Sequence, residues 1–120
     1  MEKKEFGLKG EALAANYLVE NNYKVLEQNW TYKHKEIDII ASEKDYLVIV
    51  EVKTRSSEGI ETPNELIPRK KQRFLIEATE AYIQEHDIEL ETRFDVIFIY
   101  YEYGNPKLEH IEDAFEASLL

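Results

Sequence analysis

The sequence predicts an α/β domain, a mixed sheet flanked by helices in the order α-β-β-β-α-β with a small extra strand. Three observations carry this. Leu8, Ala12, Ala15, Leu18 and Val19 recur at spacings of three and four, the period of a helix with one apolar face. Three strand-like runs follow, joined by short polar links, as in an antiparallel meander. A second helical pattern then separates the third run from a fourth, and a connection of that length suits a parallel pair.

The first helix is expected from Phe6 to about Glu20, ending at Asn21-Asn22. Strands are expected over Tyr23 to Trp30, Lys35 to Ser42 and Tyr46 to Thr54, with Ser42-Glu43-Lys44-Asp45 as the turn of a hairpin. From Leu47 to Val50 both faces of the third strand are apolar, as in a central strand covered on both sides. Ser56 to Glu65 reads as a loop and a candidate flap. Pro68 suits the first turn of the second helix, which extends to about His86 with Phe74, Leu75, Ala78, Ala81 and Tyr82 as its buried stripe. Arg93 to Tyr101 is the fourth strand. Gly104-Asn105-Pro106 turns the chain into a short strand, Lys107 to Ile111, and an amphipathic tail.

The 120 residues suit one domain over the whole chain. There is no cysteine, which excludes disulfides, thiolate catalysis and cysteine-ligated zinc. His34, His86 and His110 lack a zinc-ligand spacing and read as ordinary surface or loop residues. With no signal-like or membrane-length apolar run, a cytoplasmic protein without membrane association is expected. The net charge of −10 is unevenly placed: residues 1–73 carry 13 basic and 13 acidic residues, residues 74–120 carry 2 and 12. The first part is therefore neutral, and its Lys35, Arg55, Arg69, Lys70, Lys71 and Arg73 are candidate phosphate contacts.

Within that part lie Glu36-Ile37-Asp38-Ile39-Ile40 and Val50-Glu51-Val52-Lys53. Strand alternation places Asp38 on one face of its strand and Glu51 with Lys53 on one face of the next, which would bring two carboxylates and an ammonium together. Phosphodiester hydrolysis needs an activated water and neutralised transition-state charge, and a hard divalent cation held by carboxylates supplies both. Mg²⁺ (or Mn²⁺) is the expected cofactor, with Asp38, Glu51 and the main-chain oxygen of Val52 as ligands and Lys53 orienting water or stabilising charge. Glu11 falls inside the apolar arc of the first helix. It either bends out to water or meets a cation, where it would reach a metal-bound water or a second metal.

The chain resembles the PD-(D/E)xK nuclease superfamily, whose restriction-endonuclease-like core has this element order. The full set is Gly7-x-x-Gly10-Glu11, Asn29, Glu36-Ile37-Asp38, Val50-Glu51-Val52-Lys53-Thr54-Arg55, Pro68-Arg69-Lys70, Arg93-Phe94-Asp95 and Asp113-Ala114-Phe115. That set resembles the YraN family, itself similar to archaeal Holliday-junction resolvases. The resemblance implies Glu11, Asp38, Glu51 and Lys53 as catalytic residues and Lys70 as a family lysine. Lys35 stands where the family usually has glycine.

The expected function is a divalent-metal-dependent endonuclease on branched DNA, as a symmetric homodimer presenting two sites to two strands. The alternative is a non-catalytic module that binds nucleic acid, or a basic protein through the acidic C-terminal region, in repair or replication. An RNA-directed nuclease is a third reading. For Asp38, Glu51 and Lys53 taken singly, the alternative is an exposed cross-strand ion-pair network of little energetic consequence.

Overall fold

The structure, a computed structural model, describes residues 3–55 and 67–117, with side chains from Lys9 onward. Its elements are α1 (Lys3–Glu20), β1 (Lys24–Tyr32), β2 (Lys35–Glu43), β3 (Tyr46–Arg55), α2 (Arg69–His86), β4 (Glu91–Glu102) and β5 (Asn105–Phe115). The candidate flap from Ser56 to Glu65 lies outside the described residues, as does the end of the expected tail, residues 118–120.

The five strands form one mixed sheet in the order β1-β2-β3-β4-β5. The first three are an antiparallel meander, β4 lies parallel to β3, and β5 returns antiparallel to β4. Helix α2 makes the crossover that a parallel β3–β4 pair requires. Two-residue turns close the outer hairpins. Lys33 (φ 49°) and His34 (φ 70°) join β1 to β2, and Tyr103 (φ 52°) and Gly104 (φ 78°) join β4 to β5. Positive φ at both central residues gives a turn whose twist matches the flanking strands.

Side-chain alternation on β3 and β4 feeds two apolar layers. Leu47, Ile49, Phe94, Val96 and Phe98 pack with Phe74, Leu75, Ala78 and Tyr82 of α2. Val48, Val50, Ile97 and Ile99 pack with Ala14, Ala15 and Leu18 of α1 on the opposite face. Burying each large aliphatic side chain contributes about 1.5–3 kcal/mol, which is why the double-sided strands β3 and β4 centre the sheet.

Two expectations need correction. Helix α1 is rotated from the predicted face: Ala12 is exposed and Val19 is 59% exposed, while Ala14 is buried. A close approach to the sheet is made by Gly10, a residue that hydrophobicity does not flag. Strand β5 is also longer than Lys107 to Ile111, because the Asp113 N–H donates to Asp95 Oδ1 at 3.0 Å and Phe115 stacks on Phe94 with centroids 4.6 Å apart. Among the described residues no helix is long and apolar enough to cross a membrane.

Candidate active site

Glycine sets the position of the first candidate carboxylate. A Cβ on Gly10 would collide with Thr54 Oγ1 near the end of β3, so only glycine lets α1 approach the strand this closely. Glu11, the next residue, is thereby held at the C-terminal end of β3. Its Oε1 is buried and has no hydrogen-bond partner among the described residues. Of the two sequence readings of Glu11, the structure favours the inward one.

Asp38 sits where the sheet opens. The β2–β3 ladder pairs Ile39 with Val50 and goes no further toward Asp38. Beyond that pair the Val52 N–H donates to Asp38 Oδ2 at 2.8 Å, so a carboxylate replaces a ladder carbonyl. An extended residue directs its N–H and C=O to the same side, and the Val52 carbonyl therefore also faces this opening. Strand β2 changes faces at the same place: Ile37 packs in the α2-side layer and Ile39 in the α1-side layer. The β1–β2 register skips from the Gln28–Ile39 pair to the Trp30–Ile37 pair, leaving out Asp38 and Asn29, whose φ is 53°. Asparagine tolerates that left-handed conformation better than most side chains. The expectation that Asp38 shares one regular face with Glu51 and Lys53 is thus replaced by a break in alternation that aims Asp38 into the gap.

Glu51 comes from the face of β3 that looks toward α2. It is 4% exposed, its Oε2 accepts no hydrogen bond among the described residues, and Lys71 Nζ of α2 lies 3.5 Å away. Burial first, then hydrogen bonding with Asp38 and its charge, push the Glu51 carboxyl up to about 8, against the opposing pull of Lys71 and Lys53. Burial also leads for Glu11, followed by the charges of Asp38 and Glu36, and raises it to about 7. Asp38 acts on both. It stands between a carboxylate delivered by α1 on one side of the sheet and another delivered by β3 toward the other helix. Lys53, two residues after Glu51 and half-buried, adds positive charge on the Glu51 side.

Two buried carboxylate oxygens without hydrogen bonds among the described residues, around a third acid, suit a bound cation, since the lysine 3.5 Å from one of them offsets their burial only in part. Among the described residues no group of three or more His, Asp or Glu side chains forms a metal-holding cluster. A cation here would therefore have few protein ligands, drawn from Asp38, Glu51 and the Val52 carbonyl. Mg²⁺, which retains several waters, fits such a donor set.

The candidate phosphate contacts divide. Lys71 reaches Glu51, Arg69, Lys70 and Arg73 are exposed along the first turns of α2, and Arg55 Nη1 donates to the Thr54 carbonyl at 3.0 Å. Lys35, in the position expected for glycine, needs no positive φ, and its Nζ lies 5.5 Å from the Phe74 ring centroid.

Sequence reasoning missed a second constellation. Arg93 Nε and Nη2 grip both oxygens of Asp95 at 2.9 and 2.8 Å, and Nη2 also donates to the Tyr23 hydroxyl at 2.6 Å. His110 is not an ordinary surface residue. Its side chain is 7% exposed, its Nε2 meets Asp95 Oδ2 at 2.7 Å and its Nδ1 lies 3.0 Å from the Tyr17 hydroxyl. Although burial opposes it, hydrogen bonds from His110, Arg93 and the Asp113 N–H hold the Asp95 carboxyl below its usual range. This network ties α1, β4 and β5 together. The signal was present as Arg93-x-Asp95 and Asp113, but nothing local connected them to His110. His34 and His86 are exposed, as expected.

The fold and site together define an α/β protein with the restriction-endonuclease-like element order and a carboxylate–lysine constellation where two strands part. The chain belongs to the uncharacterised protein family UPF0102, the YraN family, whose model matches residues 10–99. It is 44% identical over 114 residues to a UPF0102 protein of Flavobacterium psychrophilum, covering 95% of this chain and 96% of the relative. To the UPF0102 protein of Flavobacterium johnsoniae it is 45% identical over 118 residues, covering 95% and 96%. The Rhodococcus opacus UPF0102 protein is 40% identical over 111 residues, covering 91% and 94%.

Proposed function

We propose that this protein is a divalent-metal-dependent endonuclease that hydrolyses phosphodiester bonds in branched DNA. The observation that carries the reading is the placement of Asp38 between Glu11 and Glu51 at the β2–β3 opening, the latter two each with a buried oxygen that accepts no hydrogen bond among the described residues, and with Lys53 and Lys71 on the Glu51 side. A divalent cation held here would supply Lewis acidity toward the scissile phosphate and the attacking water. Asp38 and Glu51 would hold it, and the Val52 N–H donates to Asp38 Oδ2 and fixes that carboxylate. Lys53 places an ammonium beside the reacting phosphate, where it stabilises the negative charge that grows as water attacks phosphorus and the P–O bond breaks. Glu11 accepts a proton or hydrogen-bonds a water from the α1 side.

The test is cleavage of a labelled four-way junction with Mg²⁺ or Mn²⁺ by wild type, Asp38→Asn, Glu51→Gln and Lys53→Ala. Loss of cleavage in each variant, with unchanged far-ultraviolet circular dichroism, is the expected result. Retained cleavage in all three refutes the reading. A second reading, a non-catalytic interaction module, draws support from β5, an edge strand with exposed Glu109, Glu112, Asp113 and Glu116 near its end. Glu112 already serves Arg93 at 3.1 Å, so the nuclease reading is preferred.

A further inference from the structure

Outward from Glu51 the surface between α2 and the β1–β2 hairpin carries a row of ammonium groups, each set on an aromatic ring. Lys71 Nζ, 3.5 Å from Glu51, lies 5.4 Å from the Phe74 centroid, and Lys35 Nζ lies 5.5 Å from the same ring. Next comes Tyr32, 6.3 Å from Phe74, with Lys33 Nζ 5.3 Å from its centroid. Trp30 follows at 6.2 Å from Tyr32, the two ring planes only 9° apart. β1 is the edge of the sheet, and the Trp30 and Tyr32 rings are half-buried there.

We infer that this row, from Lys71 through Lys35, Tyr32 and Lys33 to Trp30, seats a single DNA strand with unpaired bases, its phosphates on the lysines and its bases against the Tyr32 and Trp30 rings. The inference rests on the proposed nuclease reading and specifies the part of a branched substrate that enters the site. Charge selects the place: residues 74–120 carry 2 basic against 12 acidic residues, so a polyanion finds few attractive surfaces elsewhere. Charge also limits the width. Exposed Glu77 lies at the row itself, accepting from Lys33 at 2.8 Å and from the Tyr32 hydroxyl at 3.4 Å, and leaves room for one phosphate backbone rather than two. Ring faces add a reason for single strands, since unpaired bases stack on aromatic side chains and paired bases within a duplex do not expose their faces. Lys33 is engaged by Glu77 at 2.8 Å, but both side chains are largely exposed, at 67% and 54%. Such a pair is weak and exchanges readily for a phosphate.

Trp30 is the only tryptophan of the chain and reports binding directly. The experiment titrates the intact protein, in EDTA, with a thymidine oligonucleotide of about 12 nucleotides and with a duplex of equal length, reading Trp30 fluorescence. Saturable quenching, tighter for the single strand, is expected. Lys33→Ala and Lys35→Ala each lower the salt slope of log affinity by about 0.7. Tyr32→Leu, which keeps an apolar body at the site, weakens binding by about 5-fold or more. Lys107→Ala on β5 leaves binding unchanged. A duplex bound as tightly as the single strand, or Lys33, Lys35 and Tyr32 variants that bind like wild type, overturns the inference. Because the readout needs no metal and no cleavage, failure of junction hydrolysis leaves it intact. Conversely, a cleaved junction with indifferent variants removes the row and leaves the hydrolysis.

Discussion

Gly10 of α1 rests on Thr54 of β3 so closely that a single added methyl group would collide with the threonine hydroxyl. This contact sets the position of Glu11. A Gly10→Ala substitution therefore costs about 1–3 kcal/mol by overpacking and displaces Glu11 together with the helix. Chemical denaturation measures the first effect. A Gly10→Ala, Thr54→Ala pair should recover much of the loss, because the two side chains compete for one space.

Asn29, with φ 53°, and Asp38 both fall at the step that the β1–β2 register skips between Gln28–Ile39 and Trp30–Ile37. Asn29→Gly should preserve both folding and cleavage, since glycine accepts this backbone freely. Asn29→Val should destabilise the fold by about 1–2 kcal/mol and reduce cleavage further by misdirecting Asp38. Equal activity of the two variants, at equal folded fraction, would remove this role for Asn29.

Glu51 carries a proton in the folded state up to about pH 8, against an ordinary value of 4.5. A folded-state pKa above the unfolded one means a contribution fully present below 4.5 and lost as pH rises through about 8. In the absence of divalent metal, thermal stability should therefore fall over that window. Glu51→Gln should flatten the decline and stabilise the protein by a few kcal/mol, on the order of 1.4 kcal/mol per unit of pKa displacement, at the alkaline end. Melting temperatures of both proteins in EDTA across this range provide the check.

Because Glu51 and Glu11 are raised to about 8 and about 7, a cation taken up at neutral pH must displace protons. Mg²⁺ or Mn²⁺ affinity should rise with pH through this range and the binding heat should depend on the ionisation enthalpy of the buffer. Calorimetry in two buffers measures the protons released. Asp38→Asn should abolish the metal-binding heat.

Asp95 is buried among Arg93, His110 and the Asp113 N–H. Asp95→Asn removes the two-oxygen partner of the buried guanidinium, leaving it Glu43 at 3.3 Å and Glu112 at 3.1 Å, and should cost about 1.5–3 kcal/mol, read by urea denaturation. The network's hydrogen bonds run to Tyr23, Tyr17, Glu43 and the Asp113 N–H, away from Glu11, Asp38 and Glu51. Metal affinity per folded molecule should stay unchanged.

The element order and the parallel β3–β4 pair were legible in the sequence because they depend on local periodicity and on a crossover too long for a hairpin. Periodicity misjudged α1, since its contact with the end of β3 is made by Gly10, which carries no hydrophobic signal. It also ended β5 early and passed over His110, because Asp95 and Phe94 of β4 hold that strand from a distance in sequence. The sequence by itself determined which carboxylates and lysines the chain possesses and on which elements they ride. Only the tertiary structure decided that they meet at an opened ladder, where Asn29 turns the backbone, Val52 anchors Asp38 and two helices approach from opposite faces. Alternation along one strand describes neither a break in its own rule nor the desolvation that arises when separate elements close around the same space.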